Sequence, residues 1–117
     1  YEFEDVPDKN WLQQEALVEP GETRNHTIGM SHIEPWWDID ITFTDELKAF
    51  GFDLMLHAHS HKFSYWYKPS VELPHLITAN TRDIKYSIVN FTPESITVEE
   101  CKPECTLVNP VDWGNIP

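Results

Sequence analysis

The run Phe52-Asp53-Leu54-Met55-Leu56-His57-Ala58-His59-Ser60-His61 decides how this chain folds. Its first half is apolar apart from Asp53 and shows no polar alternation. It therefore predicts a strand over residues 52–57 that is buried on both faces. Its second half sets three histidines at alternate positions where that strand gives way to a loop. Imidazole is the commonest protein ligand for transition metals, so the junction is a candidate metal site.

Upstream, Thr44-Asp45-Glu46 has the character of a helix N-cap with acids in the first turn. Leu47, Ala49 and Phe50 follow, and Gly51 stands at the expected C′ position, which predicts a helix over 45–50. Before it, residues 26–31 have strand character and run into His32. Ile33-Glu34-Pro35-Trp36-Trp37-Asp38 reads as a loop, because Pro35 cannot continue a ladder. A strand, a helix and a second buried strand predict a right-handed β-α-β unit. His32 would end its first strand, and His59 and His61 its second. Ligands of open α/β sheets gather at the carboxyl ends of strands, so these three side chains are expected to converge. Further upstream, Asp8 is a candidate N-cap. Trp11, Leu12, Ala16 and Leu17 have helical spacing, which predicts a short amphipathic helix over 8–18, ended by Pro20-Gly21.

Downstream the texture changes. Phe63-Ser64-Tyr65-Trp66-Tyr67 is aromatic. Residues 76–79, 84–91 and 95–98 are three β-prone runs, punctuated by turns at 80–83 and 92–94, and read as an antiparallel meander. Pro103, Pro110 and Pro117 make the last residues look irregular. The expected organisation is one domain or fragment over 1–117. Residues 1–7 form an acidic connecting segment, 8–100 the body and 101–117 an irregular tail.

At 117 residues, 40% apolar and 24% charged, the chain fits one modest folded domain rather than a disordered segment. Its net charge of −12 repels phosphate backbones and argues against nucleic acid as a general partner. No apolar run approaches the roughly 20 residues needed to span a bilayer, so no membrane partner is expected. Tyr1 reads as a boundary, a processed end or an internal starting point. Cys101 and Cys105 are spaced for a local disulfide in an oxidising compartment, and a zinc site would need more ligands than they offer. Asn25-His26-Thr27 and Asn90-Phe91-Thr92 are glycosylation sequons. Together these features lean towards an extracellular or secreted protein.

The order of motifs over residues 8–100 resembles the C-terminal part of a calcineurin-like metallophosphoesterase, the superfamily that includes purple acid phosphatases. The resemblance rests on four features in order. They are the Trp-Leu helix, Asn10-Trp11-Leu12-Gln13; the His-x-Pro loop, His32-Ile33-Glu34-Pro35; the apolar strand running into Ala58-His59-Ser60-His61; and a closing run of strands over 74–100. It implies an α/β fold, the C-terminal part of a two-sheet β-sandwich with flanking helices. It also implies metal-dependent hydrolysis of a phosphate mono- or diester at two transition metals, iron, zinc or manganese. His32 and His59 would serve one ion and His61 the other.

The chain departs from the family pattern as well. The earlier motifs, Asp-x-His, Gly-Asp and Gly-Asn-His followed by an acid, are absent. Their absence has two readings: the C-terminal piece of a longer or cleaved enzyme, with an N-terminal companion segment or chain that supplies the remaining ligands and little turnover by this chain alone, or a degenerate stand-alone domain. Ala58 replaces the usual Gly, and Lys62 stands where a Gly often follows. Trp36, Trp37, Tyr65 and Trp66 flank the histidine loops, either as a substrate-binding wall or as packing. His57 reads as structural, turned to the opposite side from Ala58, and His26 and His75 as ordinary, although His75 could approach the site. Two rival readings remain. One is a non-catalytic module that uses the Trp/Tyr surface for a carbohydrate or protein partner. The other is a one-metal site with a carboxylate from Asp38 or Asp40.

Overall fold

The computed structural model describes residues 9–32, 42–58, 60–67 and 71–112. Helix α1 (Lys9–Ala16) precedes strand β1 (Ile28–Met30), helix α2 (Thr42–Ala49) and strands β2 (Leu54–His57), β3 (Ser64–Tyr67) and β4 (His75–Ile77). A 3-10 turn at Thr81–Asp83 leads to β5 (Tyr86–Phe91), β6 (Ile96–Cys101), β7 (Cys105–Val108) and β8 (Val111–Asp112). The result is a mixed α/β fold with two small sheets and few helices.

The expected β-α-β pairing is present: β1 lies parallel to β2, with α2 between them in sequence. β2 also pairs in parallel with β4, so it is an interior strand. That position explains its apolar run, because Leu54 and Met55 are buried on opposite faces. β3 is antiparallel to β4, and the two-residue β8 joins β3 to complete the order β1-β2-β4-β3-β8.

Alternation along β2 sorts the core into two clusters. Met55 meets Ala16, Leu47, Phe52 and Leu73, so both helices lie over that face. Leu54 meets Tyr65, Leu76 and Val98 on the other face, where the second sheet, β5-β6-β7, is docked.

Helix α2 ends as its glycine predicts. Gly51 has φ +102°, its N–H donates to the Lys48 carbonyl, and the Phe52 N–H donates to the Leu47 carbonyl. These two bonds and the Leu47–Phe52 contact form a Schellman cap. The helix begins at Thr42, earlier than the cap residues at 44–46 suggest. A threonine inside a helix costs only a fraction of a kcal/mol, too little to delay a helix that buries Leu47. Helix α1 is shorter than expected and stops at Ala16. Leu12 and Ala16 reach the core, but Trp11 and Leu17 are 59% and 61% exposed, so the apolar stripe is narrower than its spacing suggested. Asp8 lies outside the described residues.

Two expectations about the C-terminal half are corrected. The run 76–79 does not join a meander with residues 84–98. β4 lies inside the first sheet, while the meander is β5, β6 and β7. The described part of the tail, residues 101–112, is not irregular either, since 105–108 and 111–112 are strands. Among the described residues, Pro103 lies in the β6–β7 turn and Pro110 between β7 and β8, so they punctuate strands without breaking them. Cys101 and Cys105 are directly opposed in the β6–β7 ladder and form a disulfide. Among the described residues no helix is long and apolar enough to cross a membrane.

Candidate functional site

The β1–β2 ladder does not stop where the strands are formally assigned. The Ser31 N–H donates to the Leu56 carbonyl at 2.9 Å, and the Ala58 N–H donates to the His32 carbonyl at 2.9 Å. The His32 backbone is therefore bonded to the residue that immediately precedes His59. The Thr78 N–H donates to the His57 carbonyl at 3.1 Å, and the Asn80 N–H to the His61 carbonyl at 3.3 Å. The backbones of His32 and His61 both sit at the carboxyl ends of the parallel strands. A cleft of about 460 Å³ opens here, lined by Met30, Ser31, His32, Leu56, His57, Ala58 and Thr78.

The side chains of His32 and His61 are exposed. His61 has φ +64°, in the left-handed region that L-residues adopt at a cost. His59, Trp36, Trp37, Asp38 and Asp40 lie outside the described residues. Among the described residues, no group of three or more His, Cys, Asp or Glu side chains is placed to hold a metal ion.

His57, the first member of the alternating histidines, has a different role. It is buried, its Nδ1 is 2.8 Å from the Ser31 Oγ, and its Nε2 is 2.9 Å from the His75 Nδ1. With both ring nitrogens engaged, this imidazole has no lone pair left for a metal. Burial holds its pKa down to about 4, so it is neutral at pH 7. His75 is fully buried, and burial followed by the neighbouring His57 holds its pKa well below the ordinary value. The His75 ring stacks on Trp66 with centroids 4.2 Å apart and planes 4° from parallel.

A neutral pair satisfies the bonds in either of two proton arrangements. Ser31 O–H donates to His57 and His57 donates to His75, or both directions reverse. This chain of contacts ties the end of β1 to β2, then to β4 and β3, directly beneath the cleft. Sequence reasoning assigned His57 a structural place but did not single out Ser31. The pairing of His57 with His75 carried no local signal, because the two are 18 residues apart.

Trp66 is fully buried and Tyr65 is 7% exposed. Trp66 lies against His75, and Tyr65 belongs to the core between the sheets, where burial raises its phenol pKa. Neither presents a ring to the cleft. His26 lies elsewhere, its Nε2–H donating to the Thr92 carbonyl. Comparison of the chain with family models, with curated proteins and with solved structures returned no match.

Proposed function

We propose that this chain is the C-terminal part of a metal-dependent phosphoesterase acting on phosphate mono- or diesters. His32, His59 and His61 would be its metal ligands, and an N-terminal companion segment would complete the centre. One observation supports this reading above the others: the backbone bond from Ala58 to His32, which brings the two histidine-bearing loops to one edge of one cleft. The left-handed backbone at His61 is a second support, because such strain concentrates where a side chain must be aimed.

Two cations held there would polarise the phosphoryl group and supply hydroxide at neutral pH. The chain's own part is to present three imidazoles and to hold their loops in register through Ser31, His57 and His75. A net charge of −12 disfavours long polyanions in general, which fits a small phosphate ester better than nucleic acid. The rival reading, a carbohydrate- or protein-binding module, loses Tyr65 and Trp66 as contact residues because both are buried.

Calorimetric titration with zinc or manganese tests the proposal. The wild-type chain should bind weakly, and a triple variant with His32, His59 and His61 replaced by alanine should lose that binding. Equal affinity in the two proteins overturns it.

A further inference from the structure

The two Asn-x-Thr triplets lie far apart in sequence and side by side in the fold. The His26 ring of the first donates to the Thr92 carbonyl of the second and stands 6.0 Å from the Phe91 ring. Asn25 is exposed in a bend before β1, and Asn90 is exposed near the end of β5, an edge strand of the second sheet. The Asn90 amide donates to the Glu99 Oε2 at 3.0 Å. That amide carries two protons, so one can be replaced while the other keeps the bond.

The surface beside Asn90 is unusual for an outer face. Alternation along β5 places Tyr86, Ile88 and Asn90 on one side, and Val89 on the other, in the core between the sheets. Register then sets Ile88, Glu99 and Leu107 in one row across the sheet. Tyr86 and Ile88 are 40% and 38% exposed on the same side of β5 as Asn90, and Leu107, 64% exposed, stands across Glu99 from Ile88. The disulfide between Cys101 and Cys105 belongs to the same kind of compartment in which sequons are modified.

We propose that Asn25 and Asn90 are both N-glycosylated in the folded protein. The two sites adjoin through the contact of His26 with Thr92, and the Asn90 glycan extends over Tyr86 and Ile88 on its own side of β5. In each transfer the amide nitrogen attacks the anomeric carbon of an oligosaccharide carried on a lipid diphosphate. The nitrogen–carbon bond forms and the carbon–oxygen bond to the diphosphate breaks. The lipid diphosphate leaves with the electron pair, and one amide proton passes to a base of the transferase. The inference is independent of the phosphoesterase reading.

The test is production of the full 117-residue chain behind a cleavable secretion signal in eukaryotic secretory cells. Intact mass and peptide mapping are read before and after treatment with peptide N-glycosidase, on both secreted and retained chain. The secreted, disulfide-closed chain is expected to carry two glycans, with aspartate left at positions 25 and 90 after release. N25Q and N90Q should each lose one glycan, and the double variant should lose both and bind more of a hydrophobic dye. A secreted wild-type chain with one glycan or none overturns the proposal. So do glycans found only on retained, aggregated chain, because the folded state then rejects them.

Discussion

His57 reads as structural from the sequence, and its surroundings now make a quantitative expectation. Among the described residues it faces the Ser31 hydroxyl and the His75 ring, and neither supplies a compensating negative charge. In the unfolded chain an imidazole takes its proton near pH 6.5, whereas in the fold His57 does so only near 4. Between those values the unfolded state binds more protons, so stability falls as pH falls. The loss attributable to His57 is about 3 kcal/mol once pH is below both values, and nothing is lost above 6.5. His75 adds in the same direction. Urea midpoints at pH 7 and pH 4.5 should therefore differ more in the wild type than in His57→Leu. An equal difference contradicts the neutral buried pair.

His61 offers a second test at this scale. Glycine at φ +64° removes roughly 1–2 kcal/mol of left-handed strain. It also adds about 0.4–1 kcal/mol of unfolded-chain entropy, so His61→Gly should leave stability unchanged or raise it by up to about 1.6 kcal/mol in chemical denaturation. A clear loss means that the imidazole itself anchors the loop.

At the scale of elements, two glycines serve the β-α-β unit by different physics. Gly51 caps α2 at φ +102°, and a methyl group there meets no atom within 4 Å. Gly51→Ala should cost about 1–2 kcal/mol, all of it conformational. Gly29 has no such backbone constraint, but a methyl group there would collide with the Met55 thioether and crowd Phe52 at 3.3 Å. Gly29→Ala should cost about 1–3 kcal/mol through overpacking. A double-mutant cycle separates the two. In a Met55→Ala background the Gly29→Ala cost should shrink, with a coupling of at least about 0.5 kcal/mol, and the Gly51→Ala cost should not. If both behave alike in denaturant melts, the close approach of β1 to Met55 is not what Gly29 provides. Helix α2 and its cap were legible in advance, since a Schellman ending is written within six residues, Leu47 to Phe52. The placement of 76–79 was not, because a short buried run reads the same in either sheet.

Across the whole molecule, the second sheet is held to the first by an apolar seam whose centre is Val98, fully buried against Leu54, Tyr65 and Leu76. Val98→Ala removes about two methylene equivalents and should cost about 2 kcal/mol. The layers share one core, so near- and far-ultraviolet circular dichroism should still report a single coincident transition. Two separated midpoints would mean that the sheets fold as independent units.

The amino-acid sequence by itself determined the β-α-β unit, the capped helix before β2, the histidines at the strand ends and the sequons. Each of these is a local pattern of periodicity, turn chemistry or spacing. Only the tertiary structure decided that His57 leaves the histidine series to bond His75, that Tyr65 and Trp66 are interior, that the tail supplies strands and that the two sequons adjoin. Those outcomes depend on which distant segments become neighbours, and that choice is made by burial of the two faces of one sheet rather than by any residue's immediate sequence context.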